Sequence, residues 1–242
     1  MGRDAHTGVS EPQAPPCWIR IAAGLALAAA SGALLFLAFP PYPLWPAIFV
    51  ATVPFLVAQH RVLPRSWSAL APAIAIGGWI GMYFSKIFGF GGGGAWYMRA
   101  LPLSIAVFVF FLERSTRPLH ERTDYRWFVL QGVVGWIGFE MIRTFIPTMG
   151  TWAFVGYPLY AQLWFIQPLS VFGIFGLDVV IMLINFALAQ LALAAFDGRW
   201  QWDPVPALEP RAVRSWLLAA GVLLVAWTAL STGLSTTVPE SP

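Results

Sequence analysis

The chain has 242 residues, 58% of them hydrophobic and 10% charged, with a mean hydropathy of +0.69. A soluble domain carries about 25% charged residues, so soluble enzymes, nucleic-acid binders and disordered linkers are poor readings. The net charge of +3 does not alter this, because in a membrane protein Lys and Arg report topology before they report a partner. The single cysteine, Cys17, excludes an internal disulfide and any multi-cysteine metal cluster. It precedes the first apolar run, whereas a lipoprotein cysteine follows one, and it reads as a free or buried thiol.

Residues 1–20 are polar and proline-rich, with Glu11-Pro12-Gln13-Ala14-Pro15-Pro16, and read as a disordered cytoplasmic N-terminus. From Ile21 to Gln59 there are 39 residues without Asp, Glu, Lys or Arg. A bilayer-spanning helix needs about 20 apolar residues, so two passes fit. The first is Ile21–Phe39. A signal peptide begins similarly, but Phe39-Pro40-Pro41-Tyr42-Pro43 offers no small-residue cleavage site, and the prolines predict the turn of an uncleaved hairpin. Six further segments follow, near Leu44–Gln59, Ala69–Tyr83, Ala95–Leu112, Trp127–Phe145, Leu177–Phe196 and Trp216–Leu234. The second segment carries Pro46 and Pro54, which predict a kinked or partly re-entrant helix.

The basic residues test this count. With the N-terminus in the cytoplasm, 11 arginines fall inside, while Lys86, Arg99 and Arg143 fall outside, a split of 11 to 3. That is the positive-inside pattern. The reading is therefore an all-α polytopic membrane protein of about seven helices, N-terminus in and C-terminus out. Its transmembrane domain covers residues 21–234, followed by a short outer tail, 235–242. The outer side holds the Pro40–Pro43 turn, the glycine-rich stretch Phe88–Gly94, and the long segment Ile146–Gly176 with Trp152, Tyr157, Tyr160 and Trp164.

Few residues could carry chemistry. Glu140 and Arg143 lie three apart on the fifth helix, close enough to pair on one face. Ionisable residues in a span are functional hypotheses by default, and the alternative is a structural ion pair. Asp178 and Asn185 are two helical turns apart on one face. Asp178 reads as the start of a helix, and Asn185, about 10 Å deeper, as an interhelical hydrogen-bonding residue. The glycine run lacks the GxxxxGK[ST] spacing of a phosphate loop and reads as an outer loop or close packing. His6, His60 and His120 lie near inner segments without clustered carboxylates or cysteines, so neither a metal site nor a cofactor is expected.

Several stretches resemble one family. Leu37-Ala38-Phe39-Pro40-Pro41-Tyr42-Pro43-Leu44-Trp45-Pro46 is similar to the first helical hairpin of apolipoprotein N-acyltransferases. Gly93-Gly94-Ala95-Trp96-Tyr97 resembles the family's glycine-aromatic lead into its fourth helix, and Glu140-Met141-Ile142-Arg143 its Glu-x-x-Arg element. Trp152-Ala153-Phe154-Val155-Gly156-Tyr157 resembles its outer Trp-x-x-x-Gly-Tyr loop, and Gln167, Gly173, Gly176 and Asn185 follow the spacing of its sixth helix. One departure is Met149 and Thr151, where the family has Gly and Pro.

The resemblance implies a membrane module in the bacterial inner membrane, followed by an outer nitrilase-like domain with a Glu-Lys-Cys triad. Such enzymes move a phospholipid acyl chain onto the lipidated N-terminus of a lipoprotein through a thioester. Only Ser235–Pro242 follow Leu234 here, the one lysine is Lys86 and the one cysteine Cys17, on opposite sides. No catalytic residue is therefore expected within this chain, and a separate nitrilase-like subunit is the expected source of catalysis. Glu140, Arg143, Trp152 and Tyr157 are the candidate contacts to phospholipid or to the lipidated N-terminus. Two other classes remain compatible: a small-solute transporter or permease using Glu140, Arg143 and Asp178, and a non-catalytic membrane scaffold. A transporter often shows matched interrupted helices in two halves, and the sequence has no matched pair.

Overall fold

The computed structural model describes residues 14–88, 96–145, 153–200 and 202–236, and every element among them is helical. The long helices are α1 (Cys17–Ala38), α3 (Leu70–Phe88), α4 (Trp96–Glu113), α6 (Phe128–Thr144), α8 (Leu169–Asp197) and α9 (Pro210–Ser235). Short ones are α2 (Val53–Val57), α5 (Thr116–Arg122) and α7 (Leu163–Ile166). Among the described residues α1, α8 and α9 are long and apolar enough to cross a membrane. Their outward faces are apolar too: only 17% of the most apolar stretch of α9 is buried, with Leu218, Val222 and Val225 all exposed. A helix hydrophobic all round needs an apolar solvent, and the fold is built for a membrane.

The first helix begins at Cys17, four residues before the sequence places it. It ends at the expected proline turn, which contains a cis peptide between Pro40 and Pro41. The second segment is not one helix. It descends as a 3-10 turn at Trp45–Phe49, the short α2, and a π turn at Ala58–Val62. The prolines that predicted a kink stand at the starts of its first two pieces, where a missing N–H costs nothing.

A broken helix at membrane depth leaves backbone groups that lipid cannot satisfy. Here neighbours satisfy them. Ser31 Oγ on α1 accepts from the Phe55 amide at 2.9 Å. Asn185 on α8 accepts from the Thr52 amide at 3.0 Å and its hydroxyl at 2.9 Å, and donates to the Ile48 carbonyl at 2.7 Å. Asn185 is fully buried, so its expected role in packing is what the contacts describe. Asn185→Ala should cost about 2–4 kcal/mol, since it strands the Thr52 amide and the Ile48 carbonyl together. Thermal unfolding in detergent, compared with Asn185→Asp, checks this; an unchanged melting temperature would remove Asn185 from the account.

Helix α3 runs beside α1, bringing Phe39 onto Trp79 and Tyr83. It then meets α4 through Gly77, where an added Cβ would lie 2.6 Å from Ala106 Cβ and 3.2 Å from the Pro102 carbonyl. Small residues permit this approach of backbones. Helix α6 packs antiparallel on α8, with Gly132 against the Phe186 ring. Helix α9 returns beside α8 and donates from Trp227 Nε1 to the Phe165 carbonyl, 2.9 Å away. Two hydrogen-bonded clusters close the ends of this bundle.

Helix α8 starts eight residues before the sequence places it and bends at Gly173. The bend puts Gly173 at φ 63°, a conformation only glycine adopts without strain. Asp178 therefore lies inside α8, one turn beyond the bend, rather than at a helix start.

Candidate functional site

One end of the bundle is basic. Arg117, fully buried on α5, donates to the Gln59 and Leu63 carbonyls at 3.3 and 2.6 Å, and binds Glu121 at 2.8 Å and Asp203 at 2.9 Å. Arg20 holds Asp203 from the other side at 2.7 Å and caps the Val62 carbonyl at 3.0 Å. Arg61 forms a two-pronged pair with Asp197, at 2.6 and 2.9 Å. These guanidinium groups take up the carbonyls left free where the π turn ends. Burial alone would raise the Asp203 carboxyl; the hydrogen bonds from Arg20 and Arg117 overcome that and hold it below its usual range.

His60 and His120 meet in the same cluster, with ring centroids 5.5 Å apart. Asp124 and Tyr125 both adopt positive φ, a turn that drives Tyr125 inward, where its hydroxyl receives Arg61 at 2.7 Å and meets His60 Nδ1 at 3.2 Å. Burial pushes His120 down to about 4, so it is neutral near pH 7. The sequence treats these histidines as unrelated, and the structure corrects that. No group of three or more His, Cys, Asp or Glu placed to hold a metal ion occurs among the described residues.

The other end is sparse in charge among the described residues, and several of its polar atoms lack hydrogen-bond partners. Glu140, on the penultimate turn of α6, accepts from Trp136 Nε1 at 3.1 Å and from the Val155 amide at 3.3 Å, both through Oε1. Nε of Arg143 has no hydrogen-bond partner among the described residues, and Glu140 Oε2 and the Asp178 oxygens have only one another and the Gly156 amide within reach. Glu140 and Asp178 face one another, and Asp178 Oδ1 would lie 2.7 Å from a Cβ on Gly156. A side chain at Gly156 would thus displace the carboxylate.

The expected Glu140–Arg143 ion pair is not among the ion pairs of the described residues. Arg143 instead lies over the Phe154 and Phe139 rings, 5.0 and 5.9 Å from their centroids, within electrostatic reach of Glu140, Asp178 and Tyr157. The aromatic faces explain the difference, since they hold the weakly hydrated guanidinium as a cation–π partner. Of the four candidate residues, Glu140, Arg143 and Tyr157 come together. Trp152 lies outside the described residues, as does most of the glycine-rich stretch. Asp178 completes the group.

This arrangement has oxygen acceptors and a guanidinium donor with capacity to spare, in a place where spare capacity is costly. It can hold a polar ligand group that carries both donors and acceptors. Cys17 stands at the opposite end, at the start of α1.

Residues 31–187 match the family model described as the apolipoprotein N-acyltransferase N-terminal domain. The chain belongs to this family. It is 28% identical over 185 residues to an apolipoprotein N-acyltransferase of Geobacter metallireducens, covering 74% of this chain and 35% of that protein. Likeness to the enzymes of that name from Rhodopirellula baltica (25% over 214 residues, 82% and 36%) and Rickettsia typhi (26% over 171 residues, 63% and 32%) is similar. The chain spans about a third of the length of these relatives. Within the matched stretch fall Glu140, Arg143, Tyr157, Asp178 and Asn185, whereas Arg20 and Asp203 lie outside it.

Proposed function

We propose that this chain is the membrane module of an apolipoprotein N-acyltransferase-like protein of the bacterial inner membrane, and that it holds lipid substrates for chemistry performed elsewhere. A nitrilase-like catalytic domain supplies the reaction. The module crosses the bilayer seven times between residues 21 and 234, with 1–20 in the cytoplasm and 235–242 outside. Its outer end receives a phospholipid headgroup or the lipidated N-terminus of a lipoprotein, contacted by Glu140, Arg143, Trp152 and Tyr157. The observation that carries this reading is the unsatisfied Glu140–Asp178–Arg143 group at the end of the bundle opposite the arginine-rich one. An ammonium, phosphate or amide group would supply the partners these atoms lack.

Orientation is tested with reporter tags. One at the C-terminus and one between Arg114 and Arg126 should report opposite sides of the membrane; agreement between them would overturn the seven-pass reading. Substrate binding is tested by placing a photoreactive phenylalanine at Tyr157. It should crosslink a diacylated lipopeptide, in competition with unlabelled lipopeptide but not with a free peptide of the same sequence. Crosslinking that ignores the competitor would count against a binding site.

A further inference from the structure

Four acidic side chains at the basic end are engaged by neighbours. Asp203 serves Arg20 and Arg117, Asp197 serves Arg61, Glu121 serves Arg117 and Arg65, and Glu113 accepts from Gln59. Arg114, Arg122 and Arg126 take no part: they are exposed, and their side chains make no ion pair or hydrogen bond among the described residues. Between Arg114 and Arg126 the one exposed acid is Asp124. The rim left facing outward is thus positive, three arginines against one aspartate.

Beside this rim runs an open groove of about 360 Å³, lined by Leu119, Thr123, Trp127, Leu130, Gln131 and Val134. The last four recur at i, i+3, i+4 and i+7, one face of α6 about 10 Å long. No described residue covers it: Trp127, Leu130 and Val134 are 52%, 43% and 60% exposed. Arg122 and Arg126 immediately precede the lining residues Thr123 and Trp127 and are exposed, so both long side chains start beside the groove. Thr123 spends its hydroxyl on the Leu119 carbonyl at 3.0 Å, which leaves Gln131, about 6 Å deeper than Trp127, as the free amide in the wall. An apolar slot with a cationic mouth and one amide below it matches a phospholipid in outline: acyl chain along α6, ester beside Gln131, headgroup at the arginines.

We propose that this groove binds an anionic phospholipid in the leaflet at the basic end of the bundle, with Arg122 and Arg126 selecting a headgroup that lacks an ammonium. All phospholipid headgroups carry a phosphate; the surplus positive charge of the rim discriminates against those that also carry a cation. Basic pockets on membrane helices recognise acidic lipids by this means. The site is independent of the Glu140 group, which lies at the other end of α6.

The experiment uses the full chain with Cys17→Ser and a bimane label at Val134→Cys, reconstituted in phosphatidylcholine vesicles. Spin-labelled phosphatidylglycerol or spin-labelled phosphatidylcholine is added at equal fractions, and quenching reports which lipid occupies the groove. Phosphatidylglycerol should associate roughly tenfold more strongly, from two arginines partly offset by Asp124. Arg122→Gln with Arg126→Gln should bring the ratio close to one. Arg211→Gln with Arg214→Gln removes the same charge from another exposed stretch and should leave the preference in place. Equal quenching by both lipids, a preference that survives loss of Arg122 and Arg126, or a preference lost equally in the control pair would each overturn the proposal.

Discussion

Arg117→Met should lower the apparent melting temperature in detergent more than the loss of any exposed arginine, at a cost of about 3–5 kcal/mol. Methionine keeps the aliphatic volume but removes every donor. Two carbonyls, those of Gln59 and Leu63, lose the partner at the end of the π turn. Asp203 is left with Arg20, and Glu121 with Arg65. Arg65→Met is the comparison: its side chain is 57% exposed, so its pair with Glu121 is worth at most about 1 kcal/mol. Tryptophan fluorescence during heating distinguishes the two. Equal shifts would mean that the buried guanidinium is no more important than the exposed one, and that the basic end does not hold the bundle together.

The largest functional effect should come from the paired change Glu140→Gln, Arg143→Gln. A single change at either residue unbalances charge in a low-dielectric place and confuses function with folding. The pair removes one charge of each sign, and the amide that replaces the Glu140 carboxylate retains an oxygen for Trp136 and the Val155 amide. If the group binds substrate, the variant inserts and elutes as the unsubstituted protein does, yet loses lipopeptide crosslinking at position 157 by an order of magnitude or more, the scale of one or two charge-assisted hydrogen bonds. Full crosslinking in a well-folded variant would leave these residues as a clamp between α6, the loop after it, and α8. Asp178→Asn adds a separate reading, because it removes the second carboxyl facing Glu140 while keeping an oxygen for the Gly156 amide.

The fold was legible in proportion to how local its causes are. Long apolar runs gave α1, α4, α6 and α9 to within a few residues, except at the start of α9, because a long apolar helix is announced by composition over one stretch. The proline pair in the second segment announced a break, and Asn185 announced an interhelical contact, but nothing local joins them; only the fold shows that one repairs the other. Gly173 was visible as a glycine in the sixth helix, not as a bend, since positive φ leaves no mark on composition. Glu140 and Arg143 were found by their rarity at membrane depth. Their partner was misread: spacing paired them with each other, while the faces of Phe139 on α6 and Phe154 beyond it drew the guanidinium away. The basic-end cluster was missed because its arginines already had an explanation as topology signals. Asp197 and Asp203, charged residues in a short loop between apolar helices, were the available clue.

Asp203 also bears on the order in which the chain can acquire its structure. Its two partners, Arg20 and Arg117, leave the ribosome long before it does. Until the segment between α8 and α9 is made, Arg20 has no carboxylate partner and Arg117 has Glu121 alone, and a guanidinium short of partners resists burial. The basic end therefore closes late, when the last third of the chain reaches back across α1 and α5. One carboxylate thus ties together the first helix, the middle of the chain and the approach to the last helix, a junction that exists only once residue 203 has been made.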